Sequence, residues 1–145
     1  KNGKGIYVRV HGKSWKKMKS KLKDLSSRRS VQSIRPALAK IKVYMRGWLN
    51  YYGIADMKKR IDELNKWLYH RIRMCIWKQW KKVQTKYRSL MRLGIDKDKA
   101  WEWANTRKGY ARVARSFILC RTITNERLKR RGLVSLLDHY QTVHI

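Results

Sequence analysis

The chain has 145 residues, with 38 Lys+Arg against 9 Asp+Glu and a formal charge of +29, and 43% of it is hydrophobic and 11% aromatic. So much like charge destabilises a compact state by self-repulsion unless a polyanion offsets it, and nucleic acid is the usual one. The aromatic and aliphatic content excludes a disordered basic tail, which lacks both, and the length suits one domain or one and a fragment.

The first residues, Lys1 to Gly5, contain no Met, so a larger protein is expected around this chain. From Gly5 to His11, Ile6, Val8 and Val10 alternate with Tyr7, Arg9 and His11. That period of two predicts a short β-strand whose partner lies upstream. Ser14 is placed to cap a first helix through its hydroxyl, with Trp15, Met18, Leu22 and Leu25 on one face and Lys16, Lys17, Lys19, Lys21 and Lys23 around it. Arg28 and Arg29 lie in the polar break from Ser26 to Ser30.

Ser33 is the expected cap of a second helix, with Pro36 in its first turn. Its apolar stripe is Ile34, Leu38, Ile41, Met45, Trp48, Leu49 and Tyr52, and Gly53 is expected to end it in the left-handed conformation. Gly47, inside this helix, costs about 1 kcal/mol relative to Ala and is expected to admit a neighbouring helix or a ligand backbone.

Asp56 is expected to cap a long third helix. At 100° per residue, Ile61, Leu64, Leu68, Ile72, Cys75, Ile76, Val83 and Leu90 share one face, and Lys59, Lys66, His70, Arg73, Trp77, Lys81, Gln84 and Arg88 the other. This basic stripe, with an aromatic ring inside it, ends at Leu93-Gly94. Beyond it, Asp96 or Asp98 caps a helix holding Ala100, Trp101, Trp103 and Ala104, and residues 105–110 form a polar turn. Short helices are expected after Ser116 and Thr124, and Leu133 to Tyr140 form a last apolar segment. The expected fold is mainly α: a bundle of about three main helices, short C-terminal helices and one N-terminal strand.

No reaction centre emerges. Cys75 and Cys120 have no CxxC partner and are expected as two buried thiols in a reducing cytoplasm. His11, His70, His139 and His144 do not cluster with cysteines at zinc-ligand spacing. Asp96 and Asp98 resemble a polymerase or nuclease metal pair, but their place at a helix start between lysines favours capping. No Walker A or GxGxxG loop occurs, and no metal or other cofactor is expected in this segment. No apolar stretch approaches the roughly 20 residues of a membrane span. A basic amphipathic helix can lie on anionic lipid, yet the many apolar stripes argue for mutual packing, so no membrane partner is expected.

The candidate nucleic-acid contacts are Lys13, Lys16, Lys17, Arg28 and Arg29 near the first helix, and Arg46, Asn50 and Tyr51 on the second. Lys59, Lys66, His70, Arg73, Trp77, Lys81 and Arg88 follow on the third, then Arg107, Lys108, Tyr110 and Arg112. Cations bind a phosphate backbone with release of counterions. Rings such as Trp77, Tyr51, Tyr52 and Tyr110 can stack on unpaired bases at about 1–3 kcal/mol each. Core packing is the competing role for each ring, and periodicity turns only Trp77 away from the apolar stripe. Composition does not separate RNA from DNA.

Three runs carry a resemblance: Met45-Arg46-Gly47-Trp48-Leu49-Asn50-Tyr51-Tyr52-Gly53, then 64–73, Leu-Asn-Lys-Trp-Leu-Tyr-His-Arg-Ile-Arg, then Trp77-Lys78-Gln79-Trp80-Lys81. They resemble the maturase-specific domain of group II intron-encoded reverse transcriptase/maturases. Arg107-Lys108-Gly109-Tyr110, Thr124-Asn125 and Gly132-Leu133 match bacterial members in order, so the likeness extends over essentially the whole chain. It implies that residues 1–12 end a palm domain, 13–93 form the thumb (domain X), and 94–145 are a C-terminal extension that in some members contacts target DNA. It further implies binding of group II intron RNA to promote splicing, a grip on the RNA–DNA template–primer duplex during reverse transcription and retrohoming, and contact with upstream fingers and palm. The Tyr-Ala-Asp-Asp polymerase motif is absent here, so catalysis and its Mg2+ are expected in the palm of an intact, cytoplasmic bacterial protein. The alternative is a DNA-binding architectural helical module without a maturase role.

Overall fold

A computed structural model describes residues 9–27, 29, 31–106, 113 and 117–144. Among them run eight helices: α1 (Gly12–Leu25), α2 (Ile34–Tyr52), α3 (Lys58–Gln79), α4 (Val83–Arg92), α5 (Lys97–Ala104), α6 (Phe117–Thr122), α7 (Asn125–Arg130) and α8 (Leu136–Val143). The mainly α reading holds. The proposed strand falls largely on residues outside those described; Arg9 and Val10 are irregular and His11 already caps α1.

The apolar stripes of the first three helices meet as expected. Met18 and Leu22 of α1, Leu38, Ile41, Met45 and Leu49 of α2, and Ile61, Leu68 and Ile72 of α3 are fully buried in one core. Trp15 meets the Trp48 ring edge-on at 5.8 Å. Cations close the α1–α3 seam from outside: Arg60 lies 4.0 Å over Trp15, while Lys19 and Arg71 each lie 5.2 Å from the Trp67 ring centre. Their stems cover apolar rings while the charge stays in the ring's negative field.

Several caps differ from expectation. Helix α1 begins two residues before Ser14, because His11 Nδ1 accepts from the Lys13 N–H at 3.1 Å. Met57, not Asp56, precedes α3, and Asp56 pairs with His144 at 3.4 Å. Asp96 and Thr124 cap α5 and α7 as read, accepting from the Lys99 and Arg127 N–H groups at 2.9 and 3.3 Å. Gly94 and Gly132 adopt φ of +100° and +111°. Each closes a helix with paired bonds, Gly94 N–H to Met91 O with Ile95 N–H to Leu90 O, and Gly132 N–H to Lys129 O with Leu133 N–H to Leu128 O, the left-handed ending that glycine adopts cheaply.

Gly53 serves differently from its expected left-handed cap. Its φ is −63°, and a Cβ placed there would stand 2.5 Å from both the Leu49 carbonyl oxygen and the Val143 side chain. Its smallness lets α8 press against the end of α2. Cys75 is buried, with its thiol 3.3 Å from the Ser26 carbonyl, whereas Cys120 is exposed, correcting the expectation of two buried thiols. No described helix is long and apolar enough to cross a membrane.

Candidate nucleic-acid interface

Helix α1 presents the plainest cationic face. Burial of Met18 and Leu22 fixes its rotation, which leaves Lys13, Lys16 and Lys17 exposed. Arg29 is exposed in the following turn, where its N–H donates to Ser27 Oγ at 3.2 Å. Arg28 lies outside the described residues.

Arg46, Asn50 and Tyr51 are exposed on α2, with Tyr51 77% accessible and its ring edge-on to Tyr52 at 4.7 Å. Gly47 is exposed on the same helix, and a Cβ there would meet nothing within 4 Å. Among the described residues no neighbouring helix occupies the space that Gly47 opens. Asn50 Oδ1 is 2.9 Å from His139 Nε2, which ties this face to α8. Lys42 and Arg46 look across a cleft of about 350 Å³ toward Lys129 and His139. Burial, and then the nearby Arg46 charge, hold the His139 pKa below its ordinary 6.5, favouring the neutral ring.

The stripe assigned to α3 does not survive as drawn. Lys59 and Lys66 are exposed, and Lys66 pairs with Asp62 at 3.3 Å. Arg73, by contrast, is 7% exposed, with Nε donating to Ile123 O at 2.7 Å and Nη2 to Asn125 Oδ1 at 2.6 Å. Desolvation by burial lowers its pKa from the ordinary guanidinium value. Trp77 is 1% exposed, edge-on to Trp80 at 5.9 Å with the Lys86 ammonium 4.6 Å over its ring. A ring so enclosed offers no face to a base. The physical reason is that α3 is covered on two sides, by α1 and α2 on one and by the C-terminal helices on the other, whereas periodicity assumes one dry face.

The third helix is also shorter than its pattern. It stops at Gln79, Lys81 turns to φ +26°, and α4 starts afresh at Val83. Lys81 and Arg88 are exposed, but on the turn and on α4 rather than on a continuous α3 stripe. Val83, assigned to the apolar face, is 37% exposed. His70 is half-buried and lines a groove of about 510 Å³ with Lys66, Arg73, Asn65, Cys120 and Asn125. Arg107, Lys108, Tyr110 and Arg112 lie outside the described residues.

Three predicted contacts, Lys66, His70 and Arg73, therefore meet in one groove, while Arg46 joins a different cleft with Lys42, Lys129 and His139. Lys42, Lys129 and His139 were missed because they belong to segments far apart in sequence. The Lys129-Arg130-Arg131 run was the one available signal for the cationic end of α7. The family model for the group II intron maturase-specific domain matches residues 15–94, more than half of the chain, spanning α1 to α4. No curated protein matches the chain.

Proposed function

The chain belongs to the group II intron maturase-specific domain family, and from that premise we propose that it binds group II intron RNA and, within an intact reverse transcriptase, grips the template–primer duplex. One observation supports the reading above others. Exposed cations cover the outer faces of α1, α2 and α3, while only nine carboxylates oppose 38 Lys and Arg, and four of the nine are engaged internally: Asp62 with Lys66, Asp138 with Lys129, Asp56 with His144, and Asp96 as a cap. The excess positive charge is left to an external polyanion.

Recognition in this account is by shape and charge. A-form RNA presents phosphates and 2′-hydroxyls along a wide, shallow minor groove, not a readable major groove. Rigid helices carrying Lys13, Lys16, Lys17, Lys59 and Arg46 hold cations at set spacings against such a backbone. At Gly47 the missing side chain admits a sugar–phosphate strand beside Asn50 and Tyr51. Bound this way, the protein holds the intron in its active fold, and the RNA performs the splicing chemistry.

Competition binding tests the proposal. The chain is bound to labelled group II intron RNA and challenged with unlabelled intron RNA, a scrambled RNA and duplex DNA of equal length. Intron RNA should displace at least tenfold better than duplex DNA. Equal displacement would transfer the assignment to a DNA-binding architectural module.

A further inference from the structure

Where the ends of α3, α4 and α7 converge on the start of α2, five arginines surround one cleft: Arg35, Arg92, Arg127, Arg130 and Arg131. Its volume is about 360 Å³, within the range of small-ligand sites. No Asp or Glu lines it among the described residues. Its floor is apolar, with buried Ile123 and Leu128 beside half-buried Ile76 and Leu93, and the half-buried Trp80 indole forms part of the wall.

Helix termini account for some of these charges but not all. Arg92, Arg127 and Arg130 lie in the last turns of α4 and α7, where cations favour the helix dipole. Arg127 also donates to the Leu93 carbonyl at 3.4 Å. Arg35 has the opposite setting. It stands at the start of α2, whose first turn holds no acid and whose Ser33 makes no side-chain cap. The dipole there is positive, so Arg35 adds like charge to like. Arg131 lies beyond the end of α7. An anion that also carries a flat, apolar part would complement both the arginines and the apolar floor.

We infer that this cleft holds an unpaired nucleotide of the bound RNA, its phosphate among the arginines and its base against Trp80. The guanidinium fork matches phosphate oxygens two at a time, and an indole gives any base a stacking surface. This rests on the RNA-binding reading and deepens it: the α1–α3 faces take backbone, and the cleft takes a nucleotide that has left the helix. A duplex keeps its bases stacked inside and does not enter.

Fluorescence anisotropy on the whole chain tests this with two probes, a ten-nucleotide unpaired RNA and an RNA duplex of equal length. Trp80→Leu should weaken the unpaired probe about tenfold and the duplex less than about twofold, while Trp80→Phe, which keeps a stacking ring, should retain most affinity. The combined R35A/R92A/R131A variant should lower the salt slope on the unpaired probe by about two. Circular dichroism checks that helicity is kept. Equal loss on both probes, or none on either, would overturn the inference. A tenfold preference for the same ten-mer as DNA would overturn its assignment to RNA. Neither probe contains an intron, so a failure of intron preference in the competition assay and a failure here are read separately.

Discussion

Two parts of this molecule share one core but differ in how much polar bonding fastens them to it. The α1–α3 bundle is joined by periodic apolar contact, with Met18, Leu38, Ile41, Met45, Leu68 and Ile72 fully buried. The C-terminal helices reach the same core through Leu119, Leu128 and Leu136 but are in addition fastened by polar side chains to backbone groups. Tyr140 donates to Ala55 O at 2.7 Å and accepts from the Met57 N–H at 3.0 Å; Asn65 Oδ1 accepts from the Leu136 N–H at 2.9 Å. Arg73 ties α3 to Ile123 and Asn125, and His144 Nδ1 lies 2.7 Å from Gly53 O. Short helices bury too little surface to hold themselves by area, so each buried polar tie there matters more. Cations that sequence alone assigns to RNA thus include one, Arg73, that holds the fold.

The contrast can be broken by mutation. Leu68→Ala should cost about 2–5 kcal/mol and lower the unfolding midpoint of the whole molecule, since it opens a cavity in the shared core. Arg73→Met keeps the stem and removes the charged head; it should cost about 1.5–3 kcal/mol. Hydrogen exchange should show that loss first at residues 117–130, and faster exchange spread evenly from α1 to α7 would erase the distinction. Tyr140→Phe deletes one hydroxyl serving two backbone groups and should cost about 1–2 kcal/mol, with exchange rising at the Met57 amide that loses its acceptor.

The smallest expected effect is one of pH. The folded-state pKa of His139 is depressed below 6.5, so unfolded chains bind the proton more readily. Stability from this residue is present above pH 6.5 and is lost as pH falls toward its folded pKa. His139→Gln should flatten that acid limb slightly in denaturation curves taken from pH 7.5 downward. An unaltered limb would show that the ring titrates the same folded and unfolded.

Much of the bundle was legible because a stripe of large apolar residues at helical spacing has one cheap solution, mutual burial. Ile61, Leu64, Leu68 and Ile72 illustrate it, and Asp96 and Thr124 were readable as caps for the same local reason. The candidate surface was legible where a helix has one covered side, as on α1. It was misread at Arg73, whose partners Ile123 and Asn125 stand 50 and 52 residues away, and at Trp77, whose ring meets Trp80 and Lys86 across the break that the pattern ran through. The break after Gln79 carried no Gly or Pro, so the pattern ran through it. Arg35 and Arg92 gave no signal at all, because isolated basic residues acquire meaning only when the fold collects them.

The central claim is that Lys13, Lys16 and Lys17 of α1 serve an external polyanion and not the fold. Its most direct test is the salt dependence of intron-RNA affinity for the wild-type chain and for K13A/K16A/K17A. The variant should keep the wild-type unfolding midpoint, while the slope of log affinity against log salt falls by about two to three. An unchanged slope would contradict the claim and leave those lysines as solvated surface.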